Sequence, residues 1–223
     1  MLDAPRARSE RSGLGQAQSS FDELNADLIL KTSSLLNGIV SDAGLHPKMM
    51  NTLSMLEHMG SQKIMATQHG PNVDQPTLRH LAEECHHAFF MKRQAEKAAL
   101  RPLEYIEAEL LAPRAARMYF QRLEASMVRQ LDSASRLAPY LYMSMIVEFR
   151  AVWFYSLYEQ ALKRHAHPLS LKRLLGEEQN HLTEMANRLT HAGEFSDDLV
   201  DAFIGIERKL YGRFLVALQR SLN

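Results

Sequence analysis

Apolar residues recur at intervals of three and four along the chain. No stretch alternates apolar with polar for long enough to make a strand, so the pattern predicts an all-α protein. A first amphipathic helix is expected from about Phe21 to Val40. Gly44 and Pro47 mark the break before a second, and Pro47 suits its first turn, where a missing N–H costs nothing. His69-Gly70-Pro71-Asn72 ends that helix, and Asp74 with Pro76 can start a third. A long connection from about Arg101 to Arg136 is interrupted at Pro102 and Pro113 but keeps a helical pattern through Met118, Phe120, Leu123, Met127 and Leu131. Two more helices are expected from about Leu137 to Leu162 and from about Pro168 to His191, the latter closed by Gly193. A last amphipathic segment carries Phe195, Leu199, Phe203, Ile206, Leu210 and Phe214, either to pack on the other helices or to form part of a homodimer contact.

Composition narrows the class. A chain of 223 residues suits one helical domain, expected over residues 21–223, behind a polar tail over 1–20 that reads as disordered; Asp3 and Glu10 argue against a transit peptide. Lys plus Arg equals Asp plus Glu at 26 each, which leaves no electrostatic footprint for nucleic acid or an anionic membrane. There is no apolar run near membrane-spanning length and no signal-like start, so a cytoplasmic protein is expected. The single Cys85 excludes an intrachain disulfide and a four-cysteine iron site.

One pattern carries chemistry. The pentad E-E-x-x-H occurs twice, as Glu83-Glu84-Cys85-His86-His87 and as Glu177-Glu178-Gln179-Asn180-His181, each in a helical segment. Glu and His three positions apart share one helix face, so a carboxylate oxygen and an imidazole nitrogen can reach the same ion. A bare E-x-x-H arises by chance about once in such a chain, but two copies of the longer pentad are expected only at about the per-thousand level. Only Glu84 and His87 match the second pentad, which sets aside the alternative register Glu83 and His86. Each pentad follows a lone Glu in an apolar helical run, Glu57 before the first and Glu148 before the second, so the order reads as a duplicated helical hairpin. Glu57 and Glu84 are symmetric about Gly70-Pro71. Glu148 and Glu178 are symmetric about Lys163, whereas the strongest turn signal is His165-Ala166-His167-Pro168, a mismatch of about 6 Å. A helix ending near Ala161 would remove it, and Glu159 is the rival to Glu148.

Both lone carboxylates face apolar surface, with Leu53, Gly60, Ser61 and Ile64 beside Glu57, and Leu141, Met145, Ala151, Val152 and Tyr155 beside Glu148. Converging buried carboxylates repel unless cations neutralise them. Those cations are either metal ions or a buried ionic network using Arg150 or Lys63. Four carboxylates and two imidazoles without thiolate suit iron or manganese rather than structural zinc.

Residues 46–192 resemble the ferritin-like di-iron carboxylate superfamily, whose members place one Glu on each of two helices and a Glu-x-x-His on each of the other two. The resemblance implies a four-helix bundle with a long crossover and extra flanking helices, and two iron ions, with manganese not excluded, held by Glu57, Glu84, His87, Glu148, Glu178 and His181. His80, one turn before Glu84, would be an additional or supporting group, and Tyr155 a hydrogen-bonding or redox neighbour. The implied activity is oxidation of a small-molecule substrate by dioxygen, with electrons from an external donor. Small residues (Ser54, Gly60, Ser61, Ser144 and Ala151) would leave room for that substrate. The alternative is a ferroxidase or iron-storage protein, and a third reading is a metal-free scaffold.

Overall fold

The computed structural model describes residues 13–68, 70, 72–131 and 137–222. The expected tail over 1–12, His69 and Pro71 of the turn signal, and residues 132–136 at the end of the long connection lie outside them. Among the described residues there are eight α-helices and no strand: α1 Leu14–Asn25, α2 Ile29–Ser41, α3 Leu45–Thr67, α4 Gln75–Ala99, α5 Pro113–Val128, α6 Ala138–Arg164, α7 Lys172–His191 and α8 Asp197–Arg220.

The first expected helix is corrected in two ways. Helix begins at Leu14, inside the stretch assigned to the tail, because Ala17 and Phe21, one turn apart, are both buried and the Phe21 ring stacks on Phe149 at 5.4 Å. It is then broken by a 3-10 turn, Ala26–Leu28. Asn25 causes the break: its buried side chain donates Nδ2 to the Phe21 carbonyl at 2.8 Å and accepts from Arg150 at 2.6 Å, so it is tied to the turn before and to another helix.

The helices α3 and α4 form one hairpin and α6 and α7 the other. Capping fixes where they begin and end. Asp74 accepts from the Thr77 N–H at 2.8 Å at the start of α4, and Gly193, with φ 69°, closes α7 through hydrogen bonds from Gly193 N to Thr190 O and from Glu194 N to Leu189 O. The two hairpins meet through ladders of side chains. Asp74 pairs with Arg188, Arg79 with Glu184, Glu83 with His181 and His87 with Glu177, so α4 and α7 run antiparallel. His46 near the start of α3 meets Tyr158 late in α6 at 2.6 Å, so these two are antiparallel as well. It follows that α4 and α6 point the same way, and the connection between them must return along the molecule. Side chains of α3 hold that connection: Asn51 donates to the Glu104 and Glu109 carbonyls, and Thr52 accepts from the Leu111 N–H at 2.8 Å.

Helix α6 is buried all round, with 18 of its 27 residues inaccessible, because α2, α5 and α8 cover the side that α3 and α7 leave open. It runs to Arg164 instead of ending near Ala161. Glu148 nevertheless comes level with Glu178, because the connection over residues 165–171 turns back along the end of α6. The buried Glu159 carboxylate accepts from the Leu171 N–H at 2.7 Å, which starts α7 about one and a half turns below the end of α6. The rival Glu159 is therefore occupied at that helix start and lies outside the carboxylate cluster. The last segment, α8, packs on α5, α1 and α6, burying Phe203, Leu210 and Phe214.

Candidate metal centre

Each of the four paired helices delivers carboxylate to one buried spot. The donor atoms fall into two overlapping groups, Glu57, Glu84, His87 and Glu178 in one and His80, Glu84, Glu148 and His181 in the other, and within each group they lie within 4.8 Å of one another. The six residues chosen from the pentads and the lone glutamates are thus brought together, and His80 joins them as a seventh. Glu84 belongs to both groups. Glu178 also faces both ways, with Oε1 3.1 Å from Nδ1 of His87 and Oε2 3.1 Å from Nδ1 of His181.

The donor set fits a cation better than it fits itself. Oε1 of Glu84 is buried without a hydrogen-bond partner among the described residues, yet Nε2 of His80, Nδ1 of His181 and Nδ1 of His87 surround it at 3.4, 3.6 and 3.8 Å. Those separations are too long for hydrogen bonds. They are near what two donors about 2.1 Å from one ion, set at a right angle or wider, leave between them. Gly60 adds to the crowding, since a Cβ there would lie 3.1 Å from Oε2 of Glu84. A buried His/Glu group that could hold a metal ion is therefore built into the helices.

Neither basic side chain considered as a neutralising partner reaches the cluster. Arg150 is paired with Glu207 and Lys63 with Glu124. The imidazoles take that part instead. Burial opposes charging all three, but the carboxylates of Glu148 and Glu84 push His80 up to about 11, Glu178 pushes His87 up to about 10, and Glu148 with Glu178 pushes His181 up to about 12. Burial would raise Glu148, and the neighbouring His181 and His80 imidazoles overcome this and lower it. Glu57 goes the other way, raised well above the usual carboxylate range by burial and by the Glu84 and Glu178 charges, although the Tyr155 hydroxyl donates to its Oε1.

The first Glu of each pentad has a role that the spacing alone did not reveal. His181 turns Nδ1 toward the cluster and donates Nε2–H to Glu83 at 2.7 Å, while His87 turns Nδ1 inward and donates Nε2–H to Glu177 at 3.0 Å. Each pentad thus orients the imidazole of the other, across the contact between α4 and α7. A carboxylate behind a ligating imidazole fixes its tautomer and raises its basicity. Glu83→Gln and Glu177→Gln are each expected to weaken metal binding about 10- to 100-fold without changing the number of ions bound. Competition against a chelator of known affinity measures this, and unchanged affinity in both variants would contradict the orienting role. His80 is backed differently, its Nδ1 lying 2.8 Å from the Tyr140 hydroxyl.

The space beside the cluster is not where the small residues suggested. Ser54 is hydrogen-bonded to the Ala88 carbonyl and the Tyr105 hydroxyl, Ser61 to the His58 carbonyl, and Gly60 faces Glu84. Of the five, only Ala151 lines the cavity of about 80 Å3 that adjoins Glu57, Glu84 and Glu148; the remaining wall comes largely from aromatic side chains of α5, α6 and α8. Exposed Cys85 takes no part. No helix of the described residues is long and apolar enough to cross a membrane. Comparison with protein-family models, curated proteins and solved structures gives no match for this chain.

Proposed function

We propose that this chain is a non-haem di-iron oxidoreductase with a ferritin-like bundle, which uses dioxygen to oxidise a small organic molecule. The observation that carries the reading is the cavity set directly against Glu57, Glu84 and Glu148, because a site that only stored or oxidised iron has no use for an apolar chamber beside its carboxylates. The parallel α4 and α6, joined by a connection that returns along the molecule, support the bundle topology. Seven hard and intermediate donors without thiolate support iron, with manganese as the other metal of matching chemistry.

In this reading Glu57 and His87 would hold one ion, His80, Glu148 and His181 the other, and Glu84 and Glu178 would serve both. Such a pair of ions, when bound, would supply the binding and reduction of dioxygen. The chain's own groups set the conditions for that. Glu83 and Glu177 keep the inward imidazole nitrogens free of protons once ions are bound. Tyr155 holds Glu57 by its hydroxyl at the cavity edge, and aromatic side chains line the reacting face. Inserting one oxygen atom and reducing the other to water requires two electrons from the substrate and two from an external donor, since the one cysteine cannot form a reducing centre.

The test is iron per chain and assembly size on protein purified from iron-supplemented cells, followed by dioxygen consumption by the reduced protein. About two irons on a small oligomer that consumes dioxygen are expected. A large shell carrying many irons would replace this reading with storage, and protein that takes up neither iron nor manganese would replace it with a scaffold.

A further inference from the structure

Two rings belong to two spaces. Tyr119 of α5 and Phe214 of α8 have their ring centroids 6.1 Å apart, and both line the cavity beside the carboxylates as well as a second hollow, of about 240 Å3, between α5 and α8. The two spaces differ in charge. The inner one is bordered by Glu57, Glu84 and Glu148, and its one arginine, Arg150, is already paired with Glu207. The outer one is bordered by Arg114, Arg122 and Arg213, with Met118, Leu210 and Phe214 between them and no acidic side chain. Arg114 pairs with Glu107 at 3.2 Å, whereas Arg122 and Arg213, both exposed, make no hydrogen bond or ion pair among the described residues. One unpaired surface arginine is ordinary. Two that border one partly apolar hollow, from different helices, form an anion-sized cradle.

Resting on the reading above, we propose that the oxidised molecule is an amphipathic anion: its carboxylate or phosphate head lies on Arg122 and Arg213 in the outer hollow, and its apolar end passes Tyr119 and Phe214 into the inner cavity. Charge decides which end goes in. Inside, an anionic head finds no unpaired cationic side chain and borders three carboxylates; outside, it meets two unengaged guanidinium forks, whose planar geometry matches carboxylate and phosphate. The inner wall suits the other end, with Phe120 and Phe154 beside Ala151. Volume agrees with this division. One water needs about 10–15 Å3 of such space, so 80 Å3 takes only the end of a chain, and the remainder lies in the larger hollow. The partition can open on one side: the Tyr119 hydroxyl is tied to Glu207 at 2.8 Å, while Phe214 is held by packing alone and is the ring free to turn.

Calorimetric titration with octanoate, octyl phosphate and 1-octanol, on protein whose metal content is measured in the same sample, compares one chain under a carboxylate, a phosphate and an uncharged head. At least one anion is expected to bind about tenfold tighter than the alcohol, as charge-assisted hydrogen bonds give, and the tighter of the two identifies the head. Arg122→Gln with Arg213→Gln, both at exposed positions without partners, is expected to remove that preference. Arg117→Gln, on the same helix but bonded to the Tyr105 carbonyl, should leave it intact. Ala151→Leu narrows the inner cavity and is expected to weaken octanoate by at least about fourfold, the loss for one methylene kept from burial. Should that variant misfold, Val147→Phe from the same wall serves instead. Equal binding of anions and alcohol overturns the proposal, as do no binding by any probe, a preference that survives loss of both arginines, or full affinity with the inner cavity narrowed. None of the probes needs a metal, so selective octanoate binding by protein that holds no iron would refute the di-iron reading and leave the anion site standing. An iron-loaded protein with no preference for the anions would do the reverse.

Discussion

Glu84→Ala is expected to reduce the bound metal from about two ions per chain to a small fraction of one, because Glu84 is the donor shared by both groups. Glu57→Ala and Glu148→Ala each remove a donor from one group only, and each should leave about one ion behind. Helical content should survive all three changes. Alanine is the best helix former, and in the metal-free protein the loss of Glu57 or Glu84 relieves repulsion among Glu57, Glu84 and Glu178, whereas the loss of Glu148 takes a carboxylate from His80 and His181 and lowers stability while the helices remain. Glu178→Ala should behave like Glu84→Ala, since its two oxygens face His87 and His181. Metal analysis and circular dichroism on the same preparations decide the matter. Full metal retention in Glu84→Ala would sink the shared-donor arrangement, and a collapse of helicity would mean that the residue supports the fold before it supports any ion.

Metal-free and metal-loaded protein are expected to respond to pH in opposite directions. Without metal, His80, His87 and His181 are held as imidazolium by the surrounding carboxylates, pushed up to about 11, 10 and 12. A group whose folded pKa is raised adds stability that is complete below its unfolded value near 6.5 and is lost as the pH climbs toward the folded value. The metal-free protein should therefore lose stability steadily from about pH 6.5 upward. Glu57, also raised, contributes in the same sense from about pH 4.5, whereas lowered Glu148 protects only above that pH. Ions must displace these protons, about three from the imidazoles and part of a fourth from Glu57, so each pH unit downward weakens the combined binding by about a factor of ten per proton. At neutral pH, with free metal at a thousandfold excess over Kd, each ion adds about 4 kcal/mol, and about 2–4 °C of Tm follows each kcal/mol in a chain of this size. Removing metal should thus lower Tm by on the order of 10 °C or more at pH 7.5 and by little at pH 5. Parallel thermal melts with and without chelator across that range measure the gap, and a constant gap would contradict the displacement of imidazolium protons.

The helices were legible because their apolar faces and their Pro and Gly punctuation are local signals, as Asp74 and Gly193 illustrate. That the six residues from Glu57 to His181 come together was legible because a repeated pentad is improbable and each lone Glu sits in an apolar run. What escaped depends on register between helices. Glu83 entered only as the alternative register that was set aside, and Glu177 had no role, until α4 and α7 are set antiparallel, when each falls behind the opposite imidazole. The doubled Glu was the available signal, since a plain E-x-x-H would have sufficed for the donors alone. His80 was visible on the right face but without a repeat to single it out. The cavity could not be placed from residue size, because the small residues of α3 proved to be sites of close packing and hydrogen bonding, while the open space formed between Leu53 and Leu56 of α3 and the aromatic rings of α5, α6 and α8.

The two hairpins are near copies, but position 174, which corresponds to His80 under the offset that superimposes the pentads, is Leu174, buried in the core. One group accordingly offers two imidazoles and two carboxylates, the other one imidazole and three carboxylates. Nitrogen donors favour the later, softer members of the divalent series and oxygen donors the harder, more highly charged ones. If each group held an ion, the two positions would differ in character although one repeated motif builds both: the oxygen-rich position would suit the more highly charged ion and the nitrogen-rich position the softer one.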